Sequence, residues 1–208
     1  MQMMSEVTKI TLSAKELELV CNTEWIFTKH KVIQKVADLF GDVVLSFENK
    51  IELSKDFFPN NVLKNRPKIS KGENYQLLPY VILDYPRGFD KEDTFAVRTF
   101  FWWGNFFSIT LQLSGMYKKM YEFKTEKCFE KLQQKDFWIC VNNTPWQHDF
   151  SQNNYSRITE LTFKEFADIL NRQLFIKLAK KIPLQSWEIV PGFLVNSFDE
   201  IIQLLKDG

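Results

Sequence analysis

The sequence predicts a single α+β domain of 208 residues, in which a mainly antiparallel sheet lies between helical ends. Three observations support this fold class. Apolar residues recur at helical spacing near both ends of the chain, short apolar or alternating runs fill the middle, and two of these runs flank a Gly-Asn pair typical of a β-hairpin. The composition shows no break between domains, so we expect residues 1–208 to share one core.

The first two predicted elements are helices. Ser13 and Glu16 have the spacing of a capping box for a short helix, and Asn22 or Thr23 can cap a longer one. The longer helix has an apolar stripe at helical spacing that includes Ile26, Ile33, Ala37 and Phe40. This stripe predicts a helix that packs on the core, whereas residues 43–53 fit either a helix or a strand.

Residues 54–75 are predicted to form a long basic loop, because Pro59, Pro67 and Gly72 interrupt the apolar patterns. Loops longer than about 12 to 15 residues are uncommon in compact domains and often cover or bind something. Four basic residues follow one another here without an intervening acid: Lys64, Arg66, Lys68 and Lys71. They either form a small patch for an anionic partner or remain solvated surface charges.

The central strands are predicted from residue 77 onward. Residues 77–85 are apolar on both alternating faces, as expected for a strand that is covered on both sides. Residues 94–115 form the aromatic hairpin on which the sheet is built, with Gly104-Asn105 as a two-residue turn. This turn pairs Trp103 with Phe106 and sets the register of the hairpin.

Helix, strand and loop alternate in the rest of the chain. A helix follows the hairpin, and then come a short buried strand at 136–141 and a polar loop at 142–157. Thr162 and Glu165 form a second capping box, whose helix runs to about Lys181.

The last predicted elements are an edge strand and a helix. The strand covers residues 186–193, and the helix begins at a capping box of Ser197 and Glu200. Helices at both termini therefore pack on the sheet.

The predicted register gives the hairpin two different faces. Arg98 lies opposite Leu111 on an otherwise apolar face, where an unpaired guanidinium is unfavourable by several kcal/mol. It therefore needs an internal partner such as Asp84, or an anionic ligand that matches its planar fork. The other face mixes aromatic rings with hydroxyl and amide groups, among them Trp103, Thr99, Thr110 and Gln112. Such a face fits a ligand pocket or a sheet face covered by a helix.

Two further places carry candidate functional residues. Asp84 and Arg87 leave the end of a central strand, and Trp146 and His148 lie in the polar loop. Asp84 and His148 are the candidate acids or bases, since a histidine can transfer protons near neutral pH. Arg98 or Arg87 would hold an anionic substrate, and Trp146 would bind a ligand. Solvated loop charges are the alternative interpretation.

The composition argues against several classes of protein. The net charge of +1 provides no general attraction for nucleic acid. Three cysteines without CxxC spacing predict neither a disulfide framework nor a metal site, and they fit reduced thiols in the cytoplasm. No apolar run approaches the roughly 20 residues of a membrane span, and the start lacks the pattern of a signal peptide. The GxSxG, P-loop, GxGxxG and HExxH motifs are all missing, which argues against the common hydrolases, nucleotide triphosphatases, dinucleotide-binding enzymes and zinc proteases. We also expect no cofactor.

Three functions fit these features. The first is a cytoplasmic accessory domain that binds an anionic or aromatic small molecule or a protein partner. The second is an enzyme of an unfamiliar class that acts on an anionic substrate, so the sequence leaves the question of catalysis open. The third is a structural or assembly subunit, including a homodimer, that packs the aromatic hairpin tip, residues 102–107, into another chain.

Overall fold

The computed structural model describes residues 10–206 and confirms the α+β class. Its seven strands form one antiparallel sheet in the order β1-β2-β3-β4-β7-β5-β6. In chain order the strands are β1 (Lys68–Tyr75), β2 (Leu78–Phe89), β3 (Thr94–Trp102), β4 (Phe106–Ser114), β5 (Trp138–Cys140), β6 (Tyr155–Arg157) and β7 (Phe175–Pro183). The aromatic hairpin of β3 and β4 is therefore at the centre of the sheet, as the sequence predicts.

Seven α-helices accompany the sheet within the described residues. They are α1 (Ala14–Cys21), α2 (Thr23–Glu52), α3 (Asn60–Leu63), α4 (Met116–Lys127), α5 (Phe129–Gln134), α6 (Phe163–Arg172) and α7 (Val190–Lys206). The capping boxes predicted for the first helix and for the helix after Leu161 are both present, with Glu16 and Glu165 bonded back to their caps. No helix among residues 10–206 is long and apolar enough to cross a membrane.

Helix α2 continues through residues 43–53, for which the sequence left helix and strand open. Val43, Phe47 and Ile51 are buried at four-residue spacing and extend the apolar stripe of the first half of the helix. The ring of Phe47 stacks on Phe198 of α7, with ring centroids 3.9 Å apart. The two longest helices therefore pack against each other and against one face of the sheet.

Part of the segment predicted as a long basic loop is strand β1. Its residues pair with β2 at the edge of the sheet, and Lys68 and Lys71 leave most of the strand polar. An edge strand with one solvated face needs no run of apolar residues, so the hydrophobic pattern did not reveal it. The part before β1 contains a 3₁₀ turn at Lys55–Phe57 and the short helix α3, which buries Val62.

The segment after α6 differs from the prediction of a continuous helix to Lys181. Helix α6 ends at Arg172, and residues Phe175–Pro183 form β7 between β4 and β5. Ile176, Leu178 and Ile182 alternate on the face that packs on the helices, which is the period of a strand. Lys177 and Lys181 lie on the opposite face and Lys180 lies on the helix-facing one, so the three lysines obscure the alternation of a strand.

The predicted edge strand at 186–193 and the predicted helix start at Ser197 are both wrong. Residues Leu184–Ile189 form a 3₁₀ helix, and α7 begins at Val190 with Pro191 in its first turn, where proline is favourable. Ser197 is inside α7, and its buried hydroxyl has no hydrogen-bond partner among the described residues. Ser197 and Glu200 thus have the spacing of a capping box, but they lie in the interior of a helix and not at its N-terminus.

The hairpin turn contains three residues instead of the predicted two. Trp102 pairs with Phe106, and Gly104 has a φ of +73°. The backbone N–H of Asn105 donates to the Trp102 carbonyl at 3.0 Å. The predicted pairing of Trp103 with Phe106 is therefore wrong by one residue. Because side chains alternate along a strand, this shift moves every β4 side chain to the opposite face.

Candidate functional site

The corrected register gathers polar side chains on one face of the sheet. Arg98 lies opposite Thr110, and Ser108 and Gln112 share this face. Lys177 of β7 pairs with Gln112 and extends the polar stripe across the next strand. Thr99 faces the helices instead, where its buried hydroxyl finds no hydrogen-bond partner within the described chain.

Residues 141–154 cover this polar face, and we call them the covering loop. Phe150 from the loop stacks on Tyr155 at 4.6 Å between ring centroids and meets the edge of Phe106 at 5.1 Å. The hydroxyl of Tyr75 on β1 accepts hydrogen bonds from the backbone amides of His148 and Asp149 at 2.6 and 3.2 Å. The loop is thus fixed to both halves of the sheet.

The internal partner expected for Arg98 is present. Its Nε lies 2.7 Å from Oδ1 of Asp84 and its Nη2 lies 2.9 Å from Oδ2, so the two planar groups meet in the bidentate arrangement. Only 13% of the Arg98 side chain and 10% of the Asp84 side chain are exposed. The sequence allowed either an external anion or an internal partner for this guanidinium. In the structure, the carboxylate of Asp84 on β2 balances its charge.

His148 completes the coordination of Arg98. Its Nε2 lies 3.3 Å from Nη1 of Arg98, and because a guanidinium only donates, we assign the ring proton to Nδ1. Burial lowers the pKa of His148 well below its ordinary value, and the positive charges of Lys177 and Arg98 lower it further. The imidazole is therefore uncharged at neutral pH.

Lys177 is a buried cation that the sequence did not indicate. Its Nζ donates to the carbonyl of Pro145 at 2.8 Å and to the carbonyl of Gln147, both in the covering loop. Burial is the main cause that lowers the pKa of Lys177 to about 8. We call Asp84, Arg98, His148 and Lys177 the buried polar cluster.

The structure brings together only some of the predicted site residues. Asp84, Arg98 and His148 converge in the buried polar cluster, and Thr110 and Gln112 lie beside it on the same face. The others are placed elsewhere. Arg87 donates to the Arg66 carbonyl at 3.1 Å, Trp103 contacts Trp25, and Trp146 is 55% exposed in the covering loop.

Two grooves among the described residues lie outside this cluster. One, of about 550 Å³, is between α5 and α7 and is lined by Leu132, Phe137, Asn196 and Glu200, among others. The second, of about 460 Å³, is between α2 and the start of α7. Neither is lined by a predicted site residue, and no group of His, Cys, Asp and Glu in the described part of the chain is arranged to hold a metal ion.

A different feature is the exposed apolar surface at the N-terminal helices. Helix α1 buries none of its residues, although Leu17 and Val20 share one of its faces and are 55% and 67% exposed. The first turns of α2 continue this surface with Trp25, Ile26 and Phe27, which are 45%, 43% and 56% exposed. We call these five residues the apolar surface.

The apolar surface joins the tip of the aromatic hairpin. The rings of Trp25 and Trp103 are perpendicular with centroids 6.0 Å apart. Lys29 forms a 2.6 Å ion pair with Glu73, which attaches the same part of α2 to β1. The turn between β1 and β2 adds Leu77, which is 86% exposed. The start of α2, the hairpin tip and the β1–β2 turn thus lie at the same end of the sheet.

Comparisons with protein-family models, with curated proteins and with solved structures find no match to this chain.

Proposed function

We propose that this chain is an assembly domain that binds another protein chain through the apolar surface. The observation that carries the proposal is that α1 buries no residue although one of its faces is apolar. An isolated helix of this length is marginal in water, and helices in proteins gain most of their stability by packing an apolar face. A contiguous exposed apolar region of this kind is typical of protein contacts.

Charged side chains beside the apolar surface define the chemistry of the partner. Glu18 and Glu24 lie at α1 and the first turn of α2, and Lys31 and Lys35 follow along α2. The partner would present apolar side chains at its centre, basic groups toward α1 and acidic groups farther along α2. We place this assembly in the cytoplasm, which is supported by the lack of a disulfide between Cys21, Cys128 and Cys140.

The proposal predicts a complex that two charged substitutions disrupt. The test is size-exclusion chromatography of a lysate from cells that naturally express the chain. We expect the tagged wild type to elute at an apparent mass larger than the 24.8 kDa of one chain. The double variant Leu17→Glu/Val20→Glu should elute as a monomer with an unchanged circular dichroism spectrum, since neither side chain is buried.

Leu45→Glu is the matched control, because Leu45 is 62% exposed on α2 but lies outside the apolar surface. It should elute like the wild type. A monomeric wild type, or a double variant that remains in the complex, would contradict the proposed assembly role.

A second candidate function is the binding of an anionic small molecule at the buried polar cluster. It is supported by Lys177, which is 1% exposed and forms no ion pair with a carboxylate of the described residues. An anion admitted by movement of the covering loop would supply the missing negative charge. The enzyme hypothesis uses the same place, with Asp84 or His148 as acid or base.

Thermal-shift measurements with inorganic phosphate and small dicarboxylates would test this second function. An anion at 100 times its Kd stabilises the protein by about 2.7 kcal/mol, and the melting temperature rises accordingly. Lys177→Met should abolish that rise. Unchanged melting temperatures for all these anions would argue against binding at the cluster.

A further inference from the structure

The charges around the apolar surface are divided along the chain. Residues 14–24 contain Glu16, Glu18 and Glu24 with Lys15 as the single base, a net charge of −2. Residues 25–35 contain three bases and no acid, a net charge of +3 with histidine neutral, and these are Lys29, Lys31 and Lys35. An acidic segment and a basic segment therefore adjoin at Trp25, in the middle of the apolar surface.

Four of these charges have no partner among residues 10–206. Glu18, Glu24, Lys31 and Lys35 are exposed, and none forms an ion pair or side-chain hydrogen bond with another described residue. By contrast, Glu16 is used in its capping box and Lys29 in its pair with Glu73. The free acids lie among the N-terminal residues of the apolar surface, and the free bases follow this surface along α2.

A surface with this division of charge is complementary to itself. A two-fold axis near Trp25 to Phe27 places the acidic segment of one copy against the basic segment of the other, with apolar side chains between them. A parallel arrangement would instead oppose like charges, which is unfavourable. We infer that the partner of the apolar surface is a second copy of this chain in this antiparallel arrangement, an inference that rests on the proposed function.

Exposed residues are available for such a contact. Every residue from 10 to 28 is exposed, and the hairpin tip lies beside them through the contact of Trp103 with Trp25. Two-fold dimers are the commonest symmetric assembly.

Light scattering of the purified chain of 208 residues tests the inference. We expect the wild type to dimerise, with twice the 24.8 kDa mass of one chain. The variants Glu18→Lys/Glu24→Lys and Lys31→Glu/Lys35→Glu should each raise the dissociation constant at least about tenfold, because like charges then face each other. An equal mixture of the two variants should form a heterodimer, since the mixture restores opposite charges across the axis.

Lys164→Glu/Glu188→Lys provides the control, because both residues are exposed and lie outside the apolar surface, so dimerisation should be unchanged. A dimer that is insensitive to both charge variants would overturn the antiparallel arrangement. A wild type that is monomeric when pure but large in lysate would overturn the second copy as partner and leave the proposed assembly role intact. A monomer in both settings would overturn both.

Discussion

Replacing Asp84 by alanine is expected to lower the free energy of unfolding by about 3 to 5 kcal/mol, because it leaves the buried guanidinium of Arg98 without a counter-ion. The carboxylate satisfies two of the Arg98 donors, and neutral His148 satisfies a third but supplies no negative charge. Urea unfolding monitored by circular dichroism measures the loss directly.

The protein contains a matched control for this substitution. Arg157 and Asp136 form the same bidentate pair, with N–O distances of 2.8 and 2.9 Å, but 43% and 51% of their side chains are exposed. Because solvent screens this pair, Asp136→Asn should leave stability nearly unchanged, and asparagine also tolerates the φ of +56° at this position.

Substituting both members of the buried pair gives a further check. Asp84→Leu/Arg98→Met removes both charges together, so we expect it to recover most of the stability lost in Asp84→Ala. Equal losses for Asp84→Ala and Asp136→Asn would show that burial does not control the energy of the pair.

Acid is expected to destabilise the protein through His148, starting near pH 6.5. Burial holds the pKa of the folded imidazole well below 6.5, whereas the unfolded chain takes up a proton near that pH. The unfolded state therefore binds more protons, and stability falls as the pH drops below 6.5. For one titrating group, the free energy of unfolding changes by at most about 1.4 kcal/mol per pH unit. This change ends once the folded imidazole is itself protonated.

Urea unfolding between pH 7.5 and pH 5 measures this slope. The amide of His148→Gln can accept from Arg98 and does not titrate, so its stability curve should be flatter over this interval. His30→Gln is the control, since His30 is exposed on α2, and it should retain the wild-type slope. Identical curves for the wild type and His148→Gln would rule out His148 as the source of the acid sensitivity.

The parts of the fold that depend on local sequence were predictable. The capping boxes at Ser13 and Thr162 and the hairpin around Gly104 each follow from residues close in the chain. Strand β7 was not predictable from these patterns, because three lysines, Lys177, Lys180 and Lys181, interrupt its apolar residues. Their ammonium groups contact residues of other segments, which a local pattern does not reveal. Lys180 pairs with Glu200 of α7, and Lys177 with carbonyls of the covering loop.

The buried polar cluster was only partly predictable. Asp84 was expected as a partner of Arg98 because the two residues end up on adjacent predicted strands. The approach of His148 depends on how the covering loop folds back over β3, which no short-range pattern specifies. The one-residue error at the hairpin turn also assigned Thr110 and Gln112 to the face away from Arg98. The register set at this one turn therefore determines which side chains of β4 lie on each face of the sheet.

The order of strands in the sheet has a consequence for synthesis of the protein on the ribosome. Strands β1 to β4 are consecutive neighbours, but the second neighbour of β4 is β7, which is translated after three α-helices, two short strands and the covering loop. Until β7 emerges, β4 presents an unpaired apolar edge, and such edges promote aggregation in folding intermediates. The nascent chain is therefore most vulnerable during translation of the segment between these two strands.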